Sequence, residues 1–361
     1  MKHQEIRITR EELERFCSAV FSKLGLSQAD AQTAARVLVA ADVRGIPSHG
    51  VARLRRYVNG LQTGLMRADA EPRVVAESPA SIVVDAGGAM GAPVSVQTMQ
   101  RVIAKAREAG SAFGTVRDSN HFGIAGYYAM LALAEDMIGI AMSNTAALGV
   151  PTFGRQVMFG TNPLAFAAPA DRHRAFVLDM STTAVPRGKV EVYARKSEEM
   201  PAGWAVDRDG RPTTDAASLL QDMFKRVGGG LLPLGGVGEE HGGHKGYGLA
   251  VMVDVLCALL SGGPFGTAVF DTAESSARVS HFFGAIRIDR FRDPGEFRRD
   301  MDRMLEQLSQ CPPAAGQERV FFAGQKEFEH EAECVRTGVP LMADTYAELE
   351  KIGCELRVAR V

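Results

Sequence analysis

Ser81-Ile82-Val83-Val84-Asp85-Ala86-Gly87-Gly88-Ala89-Met90-Gly91 reads as a strand that ends in a glycine turn. Val96, Met99, Val102, Ile103 and Ala106 follow at helical spacing as far as Gly110, so the stretch predicts strand, loop and helix in that order. Such an order invites a Rossmann dinucleotide unit. The glycine spacing is not G-x-G-x-x-G, and no acidic residue ends a neighbouring strand at the distance that unit needs. The stretch therefore predicts an α/β fold whose first glycine loop is a tight turn and not a phosphate cradle.

Downstream, residues 113–117 predict a strand that runs into Asp118-Ser119-Asn120-His121-Phe122-Gly123, and residues 124 to about 136 predict a helix. His121 thus sits at a strand-to-helix corner. Corners at the carboxyl edge of a sheet face the crevice where α/β proteins bind ligands, which suits catalysis, although a buried histidine with satisfied nitrogens fits the same place. Residues 138–143, 164–168 and 175–180 predict three more strands, two of them ending in Ser143-Asn144-Thr145 and Asp179-Met180-Ser181-Thr182. Phe159-Gly160-Thr161-Asn162-Pro163 is a constrained polar turn. Hydroxyls, an amide and free backbone N–H groups there could line a cofactor channel, and turn chemistry alone would select the same residues.

Upstream, Thr9 with Glu12 forms a capping-box pattern, and Leu13, Phe16, Cys17, Val20, Phe21 and Leu24 mark an apolar stripe closed by Gly25. Ser27 and Asp30 open an Ala-rich second helix that ends at Gly45. Ser48 then reads as the N-cap of a third helix with Val51, Leu54, Val58 and Leu61 on its apolar face. On that helix His49, Arg53 and Tyr57 recur every four residues and form one polar stripe. An imidazole moves protons near neutral pH, a guanidinium grips a carboxylate with two parallel bonds, and a phenol donates to a third oxygen. The plainer account is a solvated face with an ordinary cap.

Residues 228–248 are the most glycine-rich part and predict a mobile loop leading into an apolar helix over 249–260. Glu239-Glu240-His241 and His244 invite a metal reading, but two glycines between the histidines fix no ligand geometry and no second cluster completes a site. We expect no metal. Lys245 near a helix start adds positive charge to the positive dipole end, which favours a bound anion; the spacing excludes a Walker loop. Residues 204–210 predict a surface hairpin with an Asp-Gly turn. Strands at 282–288 and 320–322, a charged helix over 296–308 and two C-terminal helices complete the pattern.

At 361 residues the chain is long enough for two lobes and a cleft. Apolar residues make up 46% and charged residues 23%, and a net charge of -2 sets up no field to attract nucleic acid or anionic lipid. The five cysteines are scattered and never in C-x-x-C spacing, which fits a reducing cytoplasm. The first residues lack an apolar signal core, and the longest apolar run, 249–260, carries Asp254, so no segment predicts membrane association.

Taken together, Gly45-Ile46-Pro47-Ser48-His49-Gly50 with Arg53 and Tyr57, the 119–123 corner, the 159–163 turn, Leu178-Asp179-Met180-Ser181-Thr182 and His244-Lys245-Gly246-Tyr247-Gly248-Leu249 resemble the type 2 malate/L-lactate dehydrogenase family. The resemblance runs in matching order from about residue 9 to 341. It implies a non-Rossmann α/β fold of the sulfolactate/malate dehydrogenase kind, with a helical N-terminal part and a mixed sheet, a homodimer, and NAD- or NADP-dependent hydride transfer to or from a small carboxylate substrate, a 2-hydroxy or 2-oxo acid. The expected division is 1–75 for the helical segment, 76–290 for the cofactor-binding part, and 291–361 packing back on the first. By resemblance, Ser48, His49, Arg53, Tyr57 and His121 form the substrate and proton-transfer group. Thr145, Gly160, Asn162, Asp179, Met180, Ser181, Lys245, Gly246, Gly324 and Gln325 are the cofactor candidates. Where the family usually has Pro-Gly-Glu, this chain has Ala323-Gly324-Gln325, and its 219–229 and 239–243 segments are longer than the common pattern. Two rival readings use the same grip on a carboxylate: reduction of a cyclic imine carboxylate, and a non-enzymatic binding protein for small carboxylates.

Overall fold

The computed structural model describes residues 5–272 and 276–359. After a short strand β1 (Glu5–Ile8), the predicted capping box forms: the Glu12 amide donates to the Thr9 hydroxyl and the Thr9 amide to the Glu12 carboxylate, starting α1 (Arg10–Lys23). Ser27 caps α2 (Gln28–Val43) through the Asp30 amide. These two helices share one core with α3 (Leu54–Gln62), in which Leu13, Phe16, Val20 and Phe21 meet Ala31, Ala34, Ala35, Leu38, Leu54 and Val58. The alanines let the helix axes approach closely.

A sheet follows, built from β2 (Arg73–Ser78), β3 (Ser81–Asp85), then α4 (Gly91–Ala109), β4 (Ser111–Ser119), α5 (Ala125–Leu131), β5 (Met137–Ser143), β6 (Leu164–Ala168) and β7 (Phe176–Met180). The chain then leaves the sheet through α6 (Arg187–Lys196), β8 (Ala205–Val206), α7 (Ala216–Lys225), β9 (Gly230–Leu231) and α8 (Gly243–Asp254). It returns as β10 (Val279–Arg287) and goes on to α9 (Pro294–Ser309), α10 (Gln325–Thr337), β11 (Val339–Met342) and α11 (Ala343–Leu356). The seven-stranded order is β2-β3-β4-β10-β5-β6-β7, and only β3 and β4 pair in parallel, with α4 as their crossover. This mixed sheet is not the parallel sheet of a doubly wound Rossmann domain.

Strand direction explains where the chemistry sits. β4 and β5 both run antiparallel to β10, and β7 runs with β5 because β6 reverses between them. The carboxyl ends of β3, β4, β5 and β7 therefore share one edge, joined there by the start of β6 and β10. His121, Thr145, Asn162 and Asp179 all lie on that edge. β1 and β11 pair antiparallel, and Val339, Leu341, Leu349 and Ile352 enter the same core as α1 to α3, so the two chain ends build one layer.

Three local expectations are corrected and a fourth is extended. The apolar helix begins at Gly243, six residues before the predicted start, and its last turn widens into a π-helix over Val255–Leu259. Residues 320–322 form no strand; the Ala323 carbonyl instead accepts from the Val177 amide at the end of the sheet. The Asp-Gly hairpin forms as expected, with Val206 bridged antiparallel to Pro212 and the Thr213 amide donating to the Ala205 carbonyl, and Ala205–Val206, buried rather than on the surface, pairs on its other side with Gly230–Leu231. The helix after His121 ends at Leu131 and continues only as a 3₁₀ turn over Ala132–Glu135. The expected 75/76 boundary falls inside β2.

Phe283 on the central strand is 0% exposed and is clustered with Phe122 and Tyr128. Phe283→Ala is expected to cost about 3–5 kcal/mol, read by urea unfolding. A cost below 1 kcal/mol would show that the sheet core repacks around the gap.

Candidate functional site

The Arg44 to Tyr57 segment does not form one helix from Ser48. Gly45, at φ +73°, ends α2, and the chain then makes two 3₁₀ turns, Pro47–His49 and Val51–Arg53, before α3 begins at Leu54. Ser48 therefore caps nothing; its hydroxyl lies 3.0 Å from Nδ1 of His49. At the break Gly50 is extended, at φ -92° and ψ -151°, and Asp42, buried near the end of α2, accepts the Val51 amide through its carboxyl group at 2.7 Å. His49, Arg53 and Tyr57 are still brought together, but by two turns and a helix start, not by helical period alone.

Opposite them stands the corner after β4. The Tyr57 hydroxyl is 2.6 Å from Nδ1 of His121, and the Gly123 amide donates to the same nitrogen at 3.3 Å. An amide can only donate, so Nδ1 acts as acceptor, Tyr57 donates its O–H, and the neutral ring carries hydrogen on Nε2. Nε2 has no protein partner among the described residues and is the nitrogen left for a ligand. The His49 ring stacks on His121 with centroids 5.5 Å apart and planes at 26°. Arg53 donates through Nε to the Ser48 carbonyl at 2.7 Å, which fixes its direction and leaves its terminal N–H groups for another partner.

Electrostatics keep both imidazoles neutral. Burial, reinforced by the Arg53 charge, pushes His49 down to about 4. Burial also holds His121 well below the ordinary histidine value, helped by His49, Arg56 and Arg53. Burial raises the Tyr57 phenol to about 12, so it stays protonated and able to donate.

The other candidates fall into two groups. The Thr145 hydroxyl accepts from the Thr161 amide at 2.9 Å, and Asn162, at φ +35°, accepts from the Thr145 amide and donates to the Ala250 carbonyl of α8. Gly160 lies against Thr145 and Asn162 so closely that any side chain there would overlap them. Asp179 belongs to a cavity of about 220 Å³ lined also by Arg44, Ile46, Gly126, Gly324 and Lys326. Its carboxylate accepts the Gly126 amide at 2.7 Å, and burial raises it to about 6. Ser181 donates to the Thr183 carbonyl, Met180 at the end of β7 pairs with Leu164 of β6, and Gly246 sits against the Leu234 backbone. Lys245 is exposed in the first turn of α8, apart from the cavity. Gln325 starts α10 behind Gly324, which is at φ +91°, and donates to Glu329. Among the described residues no group of three or more His, Cys, Asp or Glu could hold a metal ion, and no helix is long and apolar enough to cross a membrane.

Sequence reasoning missed three residues. Asp42 was hidden in an apolar helix pattern, where the one signal was a carboxylate amid buried Val37 to Val43. His281, fully buried on β10, joins Ser143 and Ser119 at 2.9 Å each and stacks on Phe122 at 4.4 Å, directly behind His121. Arg56, beside Tyr57, pairs with Asp271 at 3.0 Å and adds its charge to the His121 field.

Comparison with known proteins bears on the whole chain. The family model described as malate/L-lactate dehydrogenase matches residues 8–350. The malate dehydrogenase of Pyrococcus horikoshii is 42% identical over 347 residues, covering 96% of this chain and 94% of that protein. Its solved structure superimposes with a TM-score of 0.90, covering 99% and 97% of the two chains. The L-sulfolactate dehydrogenase of Methanocaldococcus jannaschii is 36% identical over 93% of each chain. The crystal structure of malate dehydrogenase from Entamoeba histolytica, 32% identical, gives a TM-score of 0.94 over 99% of both chains.

The two depressed histidines carry a stability signature. A histidine held neutral contributes fully above its unfolded value of about 6.5 and loses that contribution as pH falls toward its lower folded value. The parent should therefore lose melting temperature between pH 6.5 and 4, and His49→Gln/His121→Gln should lose less over the same interval in calorimetry. Parallel curves would show that neither ring is buried neutral.

Proposed function

The chain belongs to the malate/L-lactate dehydrogenase family and is a dehydrogenase of 2-hydroxy acids, and from that premise we propose that it interconverts a small, malate-like 2-hydroxy acid and its 2-oxo acid at the cleft between Arg53 and His121. Family membership sets aside the non-enzymatic carboxylate-binding reading. The observation that carries the proposal is the single cluster of Tyr57, His121, His49 and Arg53, with Nε2 of His121 left open. When bound, the nicotinamide supplies or accepts the hydride.

The rest is work for side chains. Arg53, its Nε already tied to Ser48, presents its terminal nitrogens to the substrate carboxylate and sets the reacting carbon beside the histidine pair. In reduction a doubly protonated His121 gives its Nε2 proton to the substrate oxygen and keeps the other on Nδ1 toward the Tyr57 oxygen, in oxidation Nε2 takes that proton back, and Tyr57 at Nδ1 fixes the ring plane. His49, steadied by Ser48, shields that proton from water and donates to or accepts from the same oxygen. Arg56 stands next to Tyr57, where it can meet the distal carboxylate of a dicarboxylic acid once Asp271 yields it.

We assign the cofactor to the shared sheet edge. The Asp179 cavity fits part of a dinucleotide: a buried carboxylate for ribose hydroxyls, with Arg44 and Lys326 near enough for phosphate. At about 220 Å³ it is smaller than the roughly 300–1,000 Å³ of sites that enclose a drug-sized ligand, so the remainder runs along Met180, Ser181 and the Thr145–Asn162 turn. Gly160, Gly246 and Gly324 allow the backbone to come close, and Gln325 and Lys245 border the ends of this path. NAD and NADP are both compatible with these groups. We also read residues 1–75 and 291–361 as one substrate layer on a 76–290 cofactor part, and the protein as a homodimer that buries the exposed Val251, Met252, Val255 and Leu259 of the α8 face.

A panel of 2-oxo acids and cyclic imine carboxylates, run with NADH and NADPH, tests the reading; faster turnover of an imine than of every oxo acid would replace it. Within that assay His121→Ala is expected to lose about 10²- to 10⁴-fold in kcat while the nicotinamide cofactor still binds by fluorescence titration. Arg53→Lys keeps the charge but loses the planar fork, and should cost about 2–5 kcal/mol in kcat/KM for a 2-oxo acid. If an analogue without the carboxylate suffers equally, Arg53 holds the fold and not the substrate.

A further inference from the structure

We propose that Asp42 is a positioning residue: its buried carboxylate clamps the Gly50–Val51 joint and thereby sets His49 and Arg53 at their working separation. Two contacts of the carboxyl group support it, and two backbone hydrogen bonds at the end of α2 anchor the same loop. The Asp42 carboxylate accepts the Val51 amide at 2.7 Å, and Asp42 is only 4% exposed. A side chain added at Gly50 would overlap all three atoms of the Asp42 carboxyl group, so the glycine of Ser48-His49-Gly50 is required by this carboxylate and not by backbone angle, since its φ is -92°. The Asp42 carbonyl accepts the Gly45 amide at 2.9 Å while the Ala41 carbonyl accepts Ile46 at 2.8 Å, so the end of α2 holds both the entry and the middle of the loop.

Geometry makes this more than packing. His49 lies on the turn before the joint and Arg53 on the turn after it, so rotation at Gly50 moves the two groups relative to each other. The carboxyl group also meets the first amide of the continuous helical stretch that runs through Arg53 into α3 and satisfies it as an acceptor, although burial raises Asp42 to about 7. Without it, the Val51 N–H is buried with no acceptor and the two turns are free to merge into the helix that the local periodicity favours.

The inference rests on the proposed reaction, and its test separates the two. Parent, Asp42→Ala, Asp42→Asn, Gly50→Ala and Asp42→Ala/Gly50→Ala are compared for kcat and KM with a 2-oxo acid, for NAD(P)H affinity by fluorescence, and for oxamate affinity by calorimetry, well below each melting temperature. Asp42→Ala should lose about 100-fold in kcat/KM, shared between a higher KM and a lower kcat, since displacement of about 1 Å costs that much. NAD(P)H affinity should stay within about twofold, and Asp42→Asn, which keeps an acceptor for Val51, should recover most of the loss. Gly50→Ala should resemble Asp42→Ala, and the double variant should lose less than the product of the two, because removing the carboxyl makes room for the methyl. Parent constants in Asp42→Ala or Gly50→Ala, multiplicative losses, an Asn variant as poor as Ala, or a parallel loss of NAD(P)H affinity would each overturn the clamp. If Asp42→Ala does not fold, the Asn and Gly50→Ala variants decide it. If the parent turns over no 2-oxo acid, the reaction reading fails alone, and the oxamate affinities still report on the clamp.

Discussion

The hydrogen bond between the Tyr57 hydroxyl and Nδ1 of His121 crosses the seam between the helical layer and the sheet, a seam that Val37 of α2, packed in the sheet core, and Met90, packed in the helical core, also hold. Tyr57 belongs to the core of the helical layer, with Phe21 against its ring, whereas the His121 corner grows from the sheet, whose core includes its neighbour Phe122. The functional cluster therefore exists only where the two cores meet. Arg53 and His49 approach from one side and His121 from the other, so their mutual geometry depends on how the layers dock. This accounts for the return of the C-terminal segment: β11 and α11 pack on the N-terminal helices and enlarge the body that carries Tyr57, which α1 to α3 alone would leave small.

On the sheet side the constraint is direction. A parallel crossover through α4 and a pair of reversals through β10 and β6 bring the ends of β3, β4, β5 and β7 to one edge. Loops at that edge carry His121, Thr145, Asn162 and Asp179, and the strands behind them stay rigid. His281 shows how far this support reaches: burial pushes it down to about 3, so it remains a neutral bridge between Ser143 and Ser119 and presents a flat, uncharged face to Phe122. A charge there would further disfavour a proton on His121.

Much of this was legible in the sequence where burial imposes a period. The strands at 81–85 and 164–168 and the caps at Thr9 and Ser27 stand at the residues their patterns predict, because one face of each strand is covered and each helix end needs an acceptor. β2 has no buried residue, so it leaves no alternation to read. β1 and β11 are short and pair across almost the whole chain, which no local window contains. The start of α8 was masked by glycines that normally argue against a helix; here Gly243 and Gly246 are held in contact with the backbone of the 234–238 loop, so tertiary contact overrides propensity. Of the site, the residue types at 48, 49, 53, 57 and 121 could be read, but not their arrangement. A four-residue period fitted a helix, and the buried carboxyl group that meets the break lay in a different element.

The histidine pair poses a chemical problem that the cluster also answers. In the proposed reaction, reduction of a 2-oxo acid needs a second proton on His121, yet burial and the nearby Arg53 and Arg56 charges hold that ring neutral in the free protein. A substrate carboxylate seated on Arg53 brings a negative charge into the same low-dielectric space and cancels the repulsion that the guanidinium exerts on both imidazoles. Binding thus moves the proton affinity of His121 upward, toward the value at which it can act as an acid, and a ligand without the carboxylate leaves it low. The grip on the substrate and the readiness of the acid are then one electrostatic event. Lysine at position 53 would retain the charge but seat the carboxylate loosely, and so would weaken the proton transfer together with the orientation.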